Sequence, residues 1–456
     1  MNDSFIIISL GCAKNTVDAD SMASLLSQAG YRLSQSQKRA RVIIVNTCGF
    51  IDSAREDSYN ALIKIAAEKK QGQILIAAGC LAQKEKDEII KKVPGVNSVI
   101  GTRDWMHIVK LVDNLCQKQE KIVAEYTAVA ESKLPGYSIQ GASAYLKIAD
   151  GCSRKCAYCS IPLIKGPAKS RPMETILAEA KKLEGLGVRE IVLIAQNSTD
   201  YGSDLGITNG LALLLAKLTK TVPRIDWIRI MYAFPGYVSD ELIEIMASHK
   251  QIVPYLDIPL QHAHPDTLKR MHRPSNVELV CKTIEKLRCA MPEIALRSTF
   301  IVGYPNESES EFQTLLSFVK EIRFDKLGAF KFSFETGTPS EPLGDPIPQE
   351  TKDERLKSLM QLQQQISLEK NQLFVGRKLN VLVEGTNDGI SVGRSYRDAP
   401  EVDGLVLIND ICPVGEIVPT LVTHATTYDL IGEKQHVRRS AGTRQNNPKI
   451  RGYPIE

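Results

Sequence analysis

The stretch Gly151-Cys152-Ser153-Arg154-Lys155-Cys156-Ala157-Tyr158-Cys159 places three cysteines at spacings of four and three, directly after an apolar, strand-like run from Tyr145 to Ala149. Thiolates this close together, with Arg154 and Lys155 between them to lower their pKa values, are typical of metal ligands rather than of a disulfide framework. Sulfur-only ligation favours iron–sulfur chemistry over metals that prefer oxygen. The stretch therefore predicts a 4Fe–4S cluster held by three cysteines, with one iron left free to coordinate a small molecule.

Two other interpretations of these three cysteines remain open. Zinc would require a fourth ligand, and no fourth Cys or His lies nearby, so a zinc knuckle would need a ligand from a distant part of the chain. Alternatively, the three thiols are buried structural side chains without a metal.

Three strand-like runs near the amino terminus also end at cysteines. Phe5–Leu10 leads to Cys12, and two later runs of the same kind, Val42–Asn46 and Ile74–Ala78, lead to Cys48 and Cys80. A helical pattern follows each run, and strands that alternate with helices predict a parallel sheet with helices on its faces. Because the turns after parallel strands gather at one edge, we expect these cysteines to converge and to hold a second cluster. The alternative is three small buried hydrophobic side chains.

The rest of the chain predicts an α/β protein with three folded regions and a tail. Six β/α repeats are short of the eight of a closed TIM barrel, which favours an open, partial (β/α)6 TIM-like barrel. Short β-prone runs with Gly and Asp turns then indicate a small antiparallel β-barrel. The expected divisions are an N-terminal parallel α/β sheet domain over 1–118, the partial barrel over 138–371, the small β-barrel over 372–437 and a basic, disordered tail over 438–456. A polar stretch from Gln117 to about Ala142 is interpreted as a linker.

Composition adds limits on function and location. The 456 residues carry a formal charge of +4, which permits a nucleic-acid or ribosomal partner without requiring one. Ten cysteines in so long a chain are too few for a disulfide scaffold. No apolar run is long enough to span a membrane, and the start lacks the features of a signal peptide. A cytoplasmic protein is expected.

Several motifs resemble those of known enzymes. The spacing of Cys152, Cys156 and Cys159, with the aromatic Tyr158 before the third cysteine, resembles the signature of the radical S-adenosylmethionine enzymes. The segments 9–15 and 46–51 resemble the N-terminal domain of the methylthiotransferases, closest to the RimO branch, which modifies an aspartate of ribosomal protein S-twelve. The tRNA-modifying MiaB branch typically has Gln-Met-Asn where this chain has Ala13-Lys14-Asn15. The closing β-rich region resembles the TRAM domain of the same family.

This resemblance implies a division of labour between two 4Fe–4S clusters. The cluster at Cys152, Cys156 and Cys159 would bind S-adenosyl-L-methionine and generate a 5′-deoxyadenosyl radical, and the second would carry the sulfur added to the aspartate β-carbon. A second molecule of S-adenosylmethionine would supply the methyl group. The resemblance also implies an electron donor of the flavodoxin or ferredoxin type and an RNA contact through the TRAM domain and the basic tail. A MiaB-type enzyme acting on a tRNA adenosine is the alternative, and a non-catalytic RNA-binding or metal-storage protein is the rival from another class.

Side chains just past the strand ends line the cavity of a βα barrel. S-adenosylmethionine needs neutral amides, one cation and glycines that allow close approach. With Tyr158 added from the resemblance, the candidate contacts are Tyr158, Gln196, Asn197, Gln261, Arg297 and Gly303. Arg297 has the alternative of pairing with an acid in the core. Asn197 stands where the family usually has Asp, so the negative charge of a carboxylate is missing there. Lys165 stands where the family usually has Arg, so the planar, two-pronged guanidinium group is missing there.

Overall fold

The computed structural model describes residues 3–117 and 135–435, so the predicted tail over 438–456 lies outside the described residues. Within these two ranges, no helix is both long and apolar enough to cross a membrane. The described chain forms two parallel sheets with helices on their faces, followed by a closed β-barrel. This is the α/β architecture that the sequence predicts.

The N-terminal domain is a five-stranded parallel sheet. Its strands are β1 (Ser4–Ser9), β2 (Arg32–Leu33), β3 (Val42–Thr47), β4 (Ile74–Gly79) and β5 (Ser98–Gly101). Its helices are α1 (Ala13–Gln28), α2 (Asp52–Glu68), α3 (Cys80–Lys84), α4 (Lys86–Lys92) and α5 (Ile108–Cys116), with a 3-10 turn at Trp105–His107. The strand order is β2–β1–β3–β4–β5. The central β3 and β4 are buried along their whole length, as expected for apolar strands covered on both faces.

The central barrel follows in the next part of the described chain. Its strands are β6 (Tyr137–Gln140), β7 (Ser143–Lys147), β8 (Ala149–Asp150), β9 (Lys169–Ser170), β10 (Glu190–Ile194), β11 (Trp227–Ile230), β12 (Ile252–Asp257), β13 (Ala295–Val302) and β14 (Lys326–Lys331). Its helices are α6 (Ile161–Lys165), α7 (Met173–Gly185), α8 (Gly210–Thr221), α9 (Asp240–Ser248), α10 (Pro265–Arg270), α11 (Val277–Ala290), α12 (Glu309–Ile322) and α13 (Gln349–Gln372), and 3-10 turns occur at Ser198–Asp200, Ser203–Leu205 and Glu341–Leu343.

The main sheet of this region has the order β14–β13–β12–β11–β10–β7–β6. The six strands from β7 to β14 pair in parallel, which confirms the predicted partial (β/α)6 barrel. The short β8 and β9 form a separate antiparallel pair beside it. All six parallel strands therefore present their carboxyl ends on one side, where the cysteine-rich loop after β8 also lies.

The interpretation of 117–142 as a linker is wrong for its last part. Strand β6 pairs antiparallel with β7 across a turn at Gly141 and Ala142. Gly141 adopts a positive φ of 60°, which suits a tight turn. The polar residues of β6 conceal the strand in the sequence, because Ser138 points to Asp20 of α1 rather than into an apolar core. Residues 118–134 lie outside the described part of the chain.

The C-terminal barrel is closed by five strands. They are β15 (Lys378–Asn387), β16 (Ile390–Ser395), β17 (Val406–Ile408), β18 (Ile417–Ala425) and β19 (Leu430–Lys434), in the order β15–β16–β17–β19–β18. The pairing is antiparallel, as predicted, except that β17 and β19 run in parallel. This exception follows from the closure of the barrel. Strand β19 runs antiparallel to β18, so it has the same direction as β17 where the two meet and close the barrel.

A buried ionic cluster joins the two barrels. Glu190 of β10 accepts hydrogen bonds from Arg229 Nε of β11 and from Arg394 Nη2 of β16, each at 2.7 Å. None of the three residues is more than 1% exposed. Burial alone would raise the pKa of Glu190, but the two guanidinium groups hold that pKa at about 2. The carboxylate is therefore ionised and fully paired at neutral pH.

Replacing Glu190 with Gln is expected to lower the free energy of unfolding by about 3–5 kcal/mol, because Arg229 would keep its charge in a buried site without a counterion and Arg394 would keep only its pair with Glu384. Urea denaturation followed by circular dichroism measures the change. The matched control, Glu293→Gln, removes a pair with Arg377 whose side chains are 56% and 46% exposed, and a loss below about 1 kcal/mol is expected. Equal losses in the two variants would contradict the role of the cluster.

Candidate active site

The first cysteine group occupies the loop that follows β8. Gly151 turns the chain with a φ of +70°, and a Cβ there would stand 2.1 Å from the carbonyl oxygen of Pro167, so the position requires glycine. The backbone N–H of Cys152 donates to Gly166 (3.0 Å), and that of Cys159 donates to Cys156 (3.1 Å). These bonds fold the loop, and the thiols of Cys156 and Cys152 are near enough to Cys159 to act on its pKa.

The cation beside this group is not the one that the sequence suggests. Arg154 pairs with Asp200 at 2.7 Å, and Arg273 places its Nη1 atom 3.6 Å from the Cys156 sulfur. Burial raises the pKa of the Cys159 thiol to about 12, and burial also raises the pKa of Cys152 more than Arg154 lowers it. Arg154 thus lowers the pKa of Cys152 as expected, but burial has the larger effect, and Lys155 is exposed.

The second group lies at the carboxyl edge of the N-terminal sheet. Cys12 precedes α1, Cys48 follows β3 and Cys80 opens α3. A Cβ built on Gly11 would lie 3.2 Å from the Cys48 sulfur, so the turn that carries Cys12 contacts Cys48 directly. Burial raises the pKa of Cys80 to about 12, and the nearby thiols of Cys12 and Cys48 add to that rise. The three strand-end turns thus converge.

Asn15 ties these turns together, a role that the sequence did not reveal. Its Nδ2 atom donates to the carbonyls of Leu10 at 2.8 Å and Thr47 at 3.1 Å, and its Oδ1 atom lies 3.6 Å from the Cys80 sulfur. The side chain is 2% exposed. One buried amide therefore connects the ends of β1 and β3 with the start of α3.

Both groups offer a donor set that fits an iron–sulfur cluster. Among the described residues, no three His, Cys, Asp or Glu side chains are arranged so that they could hold a metal ion. A 4Fe–4S cluster has a different requirement, since each cysteine binds a separate iron atom and the thiols need not surround one point. Sulfur-only donors at a sheet edge fit that chemistry. The six cysteines remain predicted ligands.

Two of the predicted S-adenosylmethionine contacts carry buried atoms without a protein partner. Gln196 Oε1 and Asn197 Nδ2 are both buried, and neither makes a hydrogen bond within the described structure. An unpaired buried polar atom is costly, so these atoms indicate room for a polar ligand just past β10. The side-chain oxygen of Asn197 already has a partner within the protein, because Asn197 Oδ1 accepts a hydrogen bond from Thr199 at 2.7 Å.

Gln261 and Tyr158 lie near the same edge. Gln261 adopts a positive φ of 75°, which is uncommon for a residue with a side chain, and its backbone bonds to both Thr299 and Ile301 of β13. Tyr158 is half-buried, and burial raises the pKa of its hydroxyl well above the usual value. Strain that is held by backbone hydrogen bonds is a feature of functional sites.

Arg297 and Gly303 have partners within the protein. Arg297 Nη1 donates to Asp257 at 2.9 Å, and its Nε atom lies 3.4 Å from Asp403 of the C-terminal barrel. This is the alternative pairing with a core acid that the sequence left open. A Cβ on Gly303 would stand 2.4 Å from the Lys352 side chain, so packing against α13 already accounts for this glycine. Their contacts with S-adenosylmethionine stay predictions.

A buried pair, His262 and Glu307, lies just past the ends of β12 and β13. Burial raises the pKa of Glu307 to about 7, and burial lowers the pKa of His262 to about 3. Glu307 accepts from the Gly303 N–H and from Arg355, both at 2.9 Å, and so fixes the turn after β13. His262 Nε2 is buried without a hydrogen-bond partner among the described residues, 3.7 Å from Glu307.

Charged side chains join the N-terminal domain to the barrel between the two cysteine groups. Asp18 of α1 accepts from Lys147 at 2.6 Å and from Lys165 at 2.8 Å, and both lysines also lie within 3.3 Å of Asp150. Lys165, which replaces the usual arginine of the family, is thus a buried point charge between two carboxylates. The planar guanidinium group of an arginine, with its two parallel donors, is not needed for this geometry.

Comparisons with known proteins agree with this arrangement. Models of the uncharacterized protein family UPF0004, the radical SAM superfamily and the TRAM domain match residues 4–101, 146–319 and 375–434. The solved radical S-adenosylmethionine methyltransferase TsrM from Kitasatospora setae superposes with a TM-score of 0.55, over 86% of this chain and 81% of that chain. Its 12% identity supports similarity of fold alone.

Full-length relatives give a more specific result. The chain is 47% identical to the ribosomal protein uS12 methylthiotransferase RimO of Roseiflexus sp. (strain RS-1), over 94% of this chain and 96% of that protein. It is 46% identical to the protein of the same name from Chloroflexus aurantiacus (strain ATCC 29366 / DSM 635 / J-10-fl), over 94% of this chain and 98% of that protein. Identity at this level extends through all three domains. The chain therefore belongs to the RimO family of radical S-adenosylmethionine methylthiotransferases.

Proposed function

We propose that this protein adds a methylthio group to the β-carbon of an aspartate in ribosomal protein uS12, using S-adenosylmethionine and two 4Fe–4S clusters. The observation that carries the proposal is the presence of two separate cysteine triads, each at the carboxyl edge of a parallel sheet, in a chain that is 47% identical to a protein of that name. Two triads suit a reaction that needs both a radical and a sulfur atom.

The chain's own residues have distinct tasks in this reaction. Cys152, Cys156 and Cys159 would hold one cluster and Cys12, Cys48 and Cys80 the other. When bound, the barrel cluster supplies the electron that cleaves S-adenosylmethionine, and the N-terminal cluster supplies sulfur. The free amide atoms of Gln196 and Asn197 would bind polar groups of S-adenosylmethionine, together with Tyr158, Gln261 and Gly303.

Two sets of contacts stabilise the arrangement of this site. Arg273, 8% exposed, places positive charge against the Cys156 sulfur and offsets the negative charge of thiolate ligands. Glu335, beyond β14, binds Arg55 at 2.7 Å and also Lys84, both from the N-terminal domain. These ion pairs of Glu335 fix the N-terminal triad relative to the barrel, as a transfer between two centres requires.

Partners follow from the same proposal. An electron donor of the flavodoxin or ferredoxin type would deliver electrons to the barrel cluster. The ribosomal protein would approach the open side of the partial barrel, and the C-terminal barrel would contact ribosomal RNA or protein nearby.

Iron analysis after anaerobic reconstitution tests the two-cluster arrangement. About eight iron atoms per chain are expected for the unmodified protein, because each triad holds four. Replacing Cys12, Cys48 and Cys80 with Ala, or Cys152, Cys156 and Cys159 with Ala, should leave about four in each case. The control Cys289→Ala changes an exposed cysteine outside both triads and should keep about eight. A total of about four in the unmodified protein would contradict two clusters.

Mass spectrometry tests the substrate. A uS12 peptide incubated anaerobically with the holoenzyme, S-adenosylmethionine and dithionite should gain a methylthio group on one aspartate, with release of 5′-deoxyadenosine. The variant that lacks Cys12, Cys48 and Cys80 should leave the peptide without sulfur, because it has no sulfur-carrying centre. Modification of a tRNA adenosine in place of the peptide would instead favour the MiaB-type function.

A further inference from the structure

We infer that Lys14 is the binding site for the carboxylate of the substrate aspartate, which it holds against the ring of Tyr232. The inference rests on the proposed function and extends it to one residue that selects the substrate. Lys14 is half-buried where the N-terminal edge meets the barrel. It has no acidic ion-pair partner of its own.

The position of Lys14 links the two edges. It is the second residue of α1 and follows Cys12 by two positions. Its neighbours Ala13 and Val17 are buried against barrel residues, so this end of α1 is embedded in the central barrel. The Lys14 Nζ atom lies 3.6 Å from the centroid of the Tyr232 ring, just past β11. Lys14 therefore lies between the sulfur-bearing edge and the mouth of the barrel.

No carboxylate of the described residues forms an ion pair with Lys14, although Asp257 acts on its charge from a greater distance. Lys147 and Lys165, the other lysines at this interface, are paired with Asp18 and Asp150. No Asp or Glu of the described residues lies within ion-pair distance of Lys14, whose contact at 3.6 Å is with an aromatic face. Its ammonium group therefore has hydrogen-bond donors that no carboxylate of the described protein takes up. An anionic ligand can accept these donors.

Tyr232 is held in an unusual conformation at this point. Its φ is +63°, in the left-handed region that favours glycine. The turn is fixed because the Tyr232 N–H donates to Asp257 at 3.2 Å and the Tyr232 carbonyl accepts from the Ser198 N–H at 3.0 Å. Backbone strain that neighbouring groups enforce is typical of ligand-binding positions. Here it directs the ring towards Lys14.

The chemistry of the substrate matches this site. The β-carbon of an aspartate is bonded to the carboxylate, so a group that binds the carboxylate also positions the carbon that reacts. An ammonium group has three donors and can contact a ring face while it donates to a carboxylate. Because that carbon must meet both the radical and the sulfur, the cation that holds it has to lie where the N-terminal triad faces the barrel, and Lys14 follows Cys12 by two residues and contacts Tyr232 just past β11.

Peptide affinity tests the inference. The reconstituted holoenzyme is titrated, without reductant, with a fluorescent uS12 peptide and with the same peptide carrying Asn at the modified aspartate. The unmodified protein should bind the Asp peptide about 10- to 100-fold more tightly, which is the usual worth of a hydrogen bond between charged groups. Lys14→Met should abolish this ratio, and Lys14→Arg should keep most of it. The control Lys64→Met, an exposed lysine on α2, should keep the full ratio.

Each outcome has a consequence. A holoenzyme that modifies the Asp peptide but binds the Asp and Asn peptides equally overturns the role of Lys14, and this needs no variant. A ratio unchanged in Lys14→Met overturns it as well. A holoenzyme that neither binds nor modifies the Asp peptide overturns the proposed function and the inference together. A ratio lost in Lys14→Met and kept in Lys14→Arg and Lys64→Met supports the carboxylate site.

Discussion

The packing of helix α1 against the central barrel is the contact on which the rest of the site depends. Asp18 on this helix accepts from two barrel lysines, Lys147 and Lys165, in a cluster whose side chains are nearly all buried. Ala13 and Val17 of the same helix join an apolar cluster with barrel strands. Because Cys12 immediately precedes α1, this contact determines how far the N-terminal triad lies from the loop of Cys152. The ion pairs of Glu335 with Arg55 and Lys84 hold the same two domains together at a second place.

The convergence of the cysteines is a consequence of parallel-sheet topology. All strands of such a sheet end on the same side, so residues far apart in sequence meet without any dedicated contact between them. This is why the placement of Cys12, Cys48 and Cys80 could be predicted from three short runs and their spacing. The six parallel strands of the barrel could be predicted for the same reason, since their apolar runs alternate with clear helical patterns.

Other features could not be predicted because they arise from contacts between distant segments. Arg273, which lies against Cys156, comes from a turn after α10 that no local motif distinguishes. The positive φ values of Tyr232 and Gln261 have no signal in the sequence, since neither is Gly or Asn. Strand β6 has a polar residue facing α1, since Ser138 donates to Asp20 of that helix. The pairing of Arg297 with Asp403 depends on a domain more than a hundred residues away.

The C-terminal barrel does more than follow the catalytic region in the chain. Its Asp403 accepts a hydrogen bond from Tyr255 and pairs with Arg297. Its Asp398 pairs with Lys326. Its Arg394 completes the pairing of Glu190. These barrel residues are largely buried. Arg297 and Glu190 also have partners within their own barrel, whereas the ion pair of Lys326 is made with the last domain. A barrel of different sequence in this place would remove the ion pair of Lys326 unless it too carried an acid at that point. The last domain is therefore part of the electrostatic structure of the region before it, and cutting the chain between them would expose charges on both cut faces.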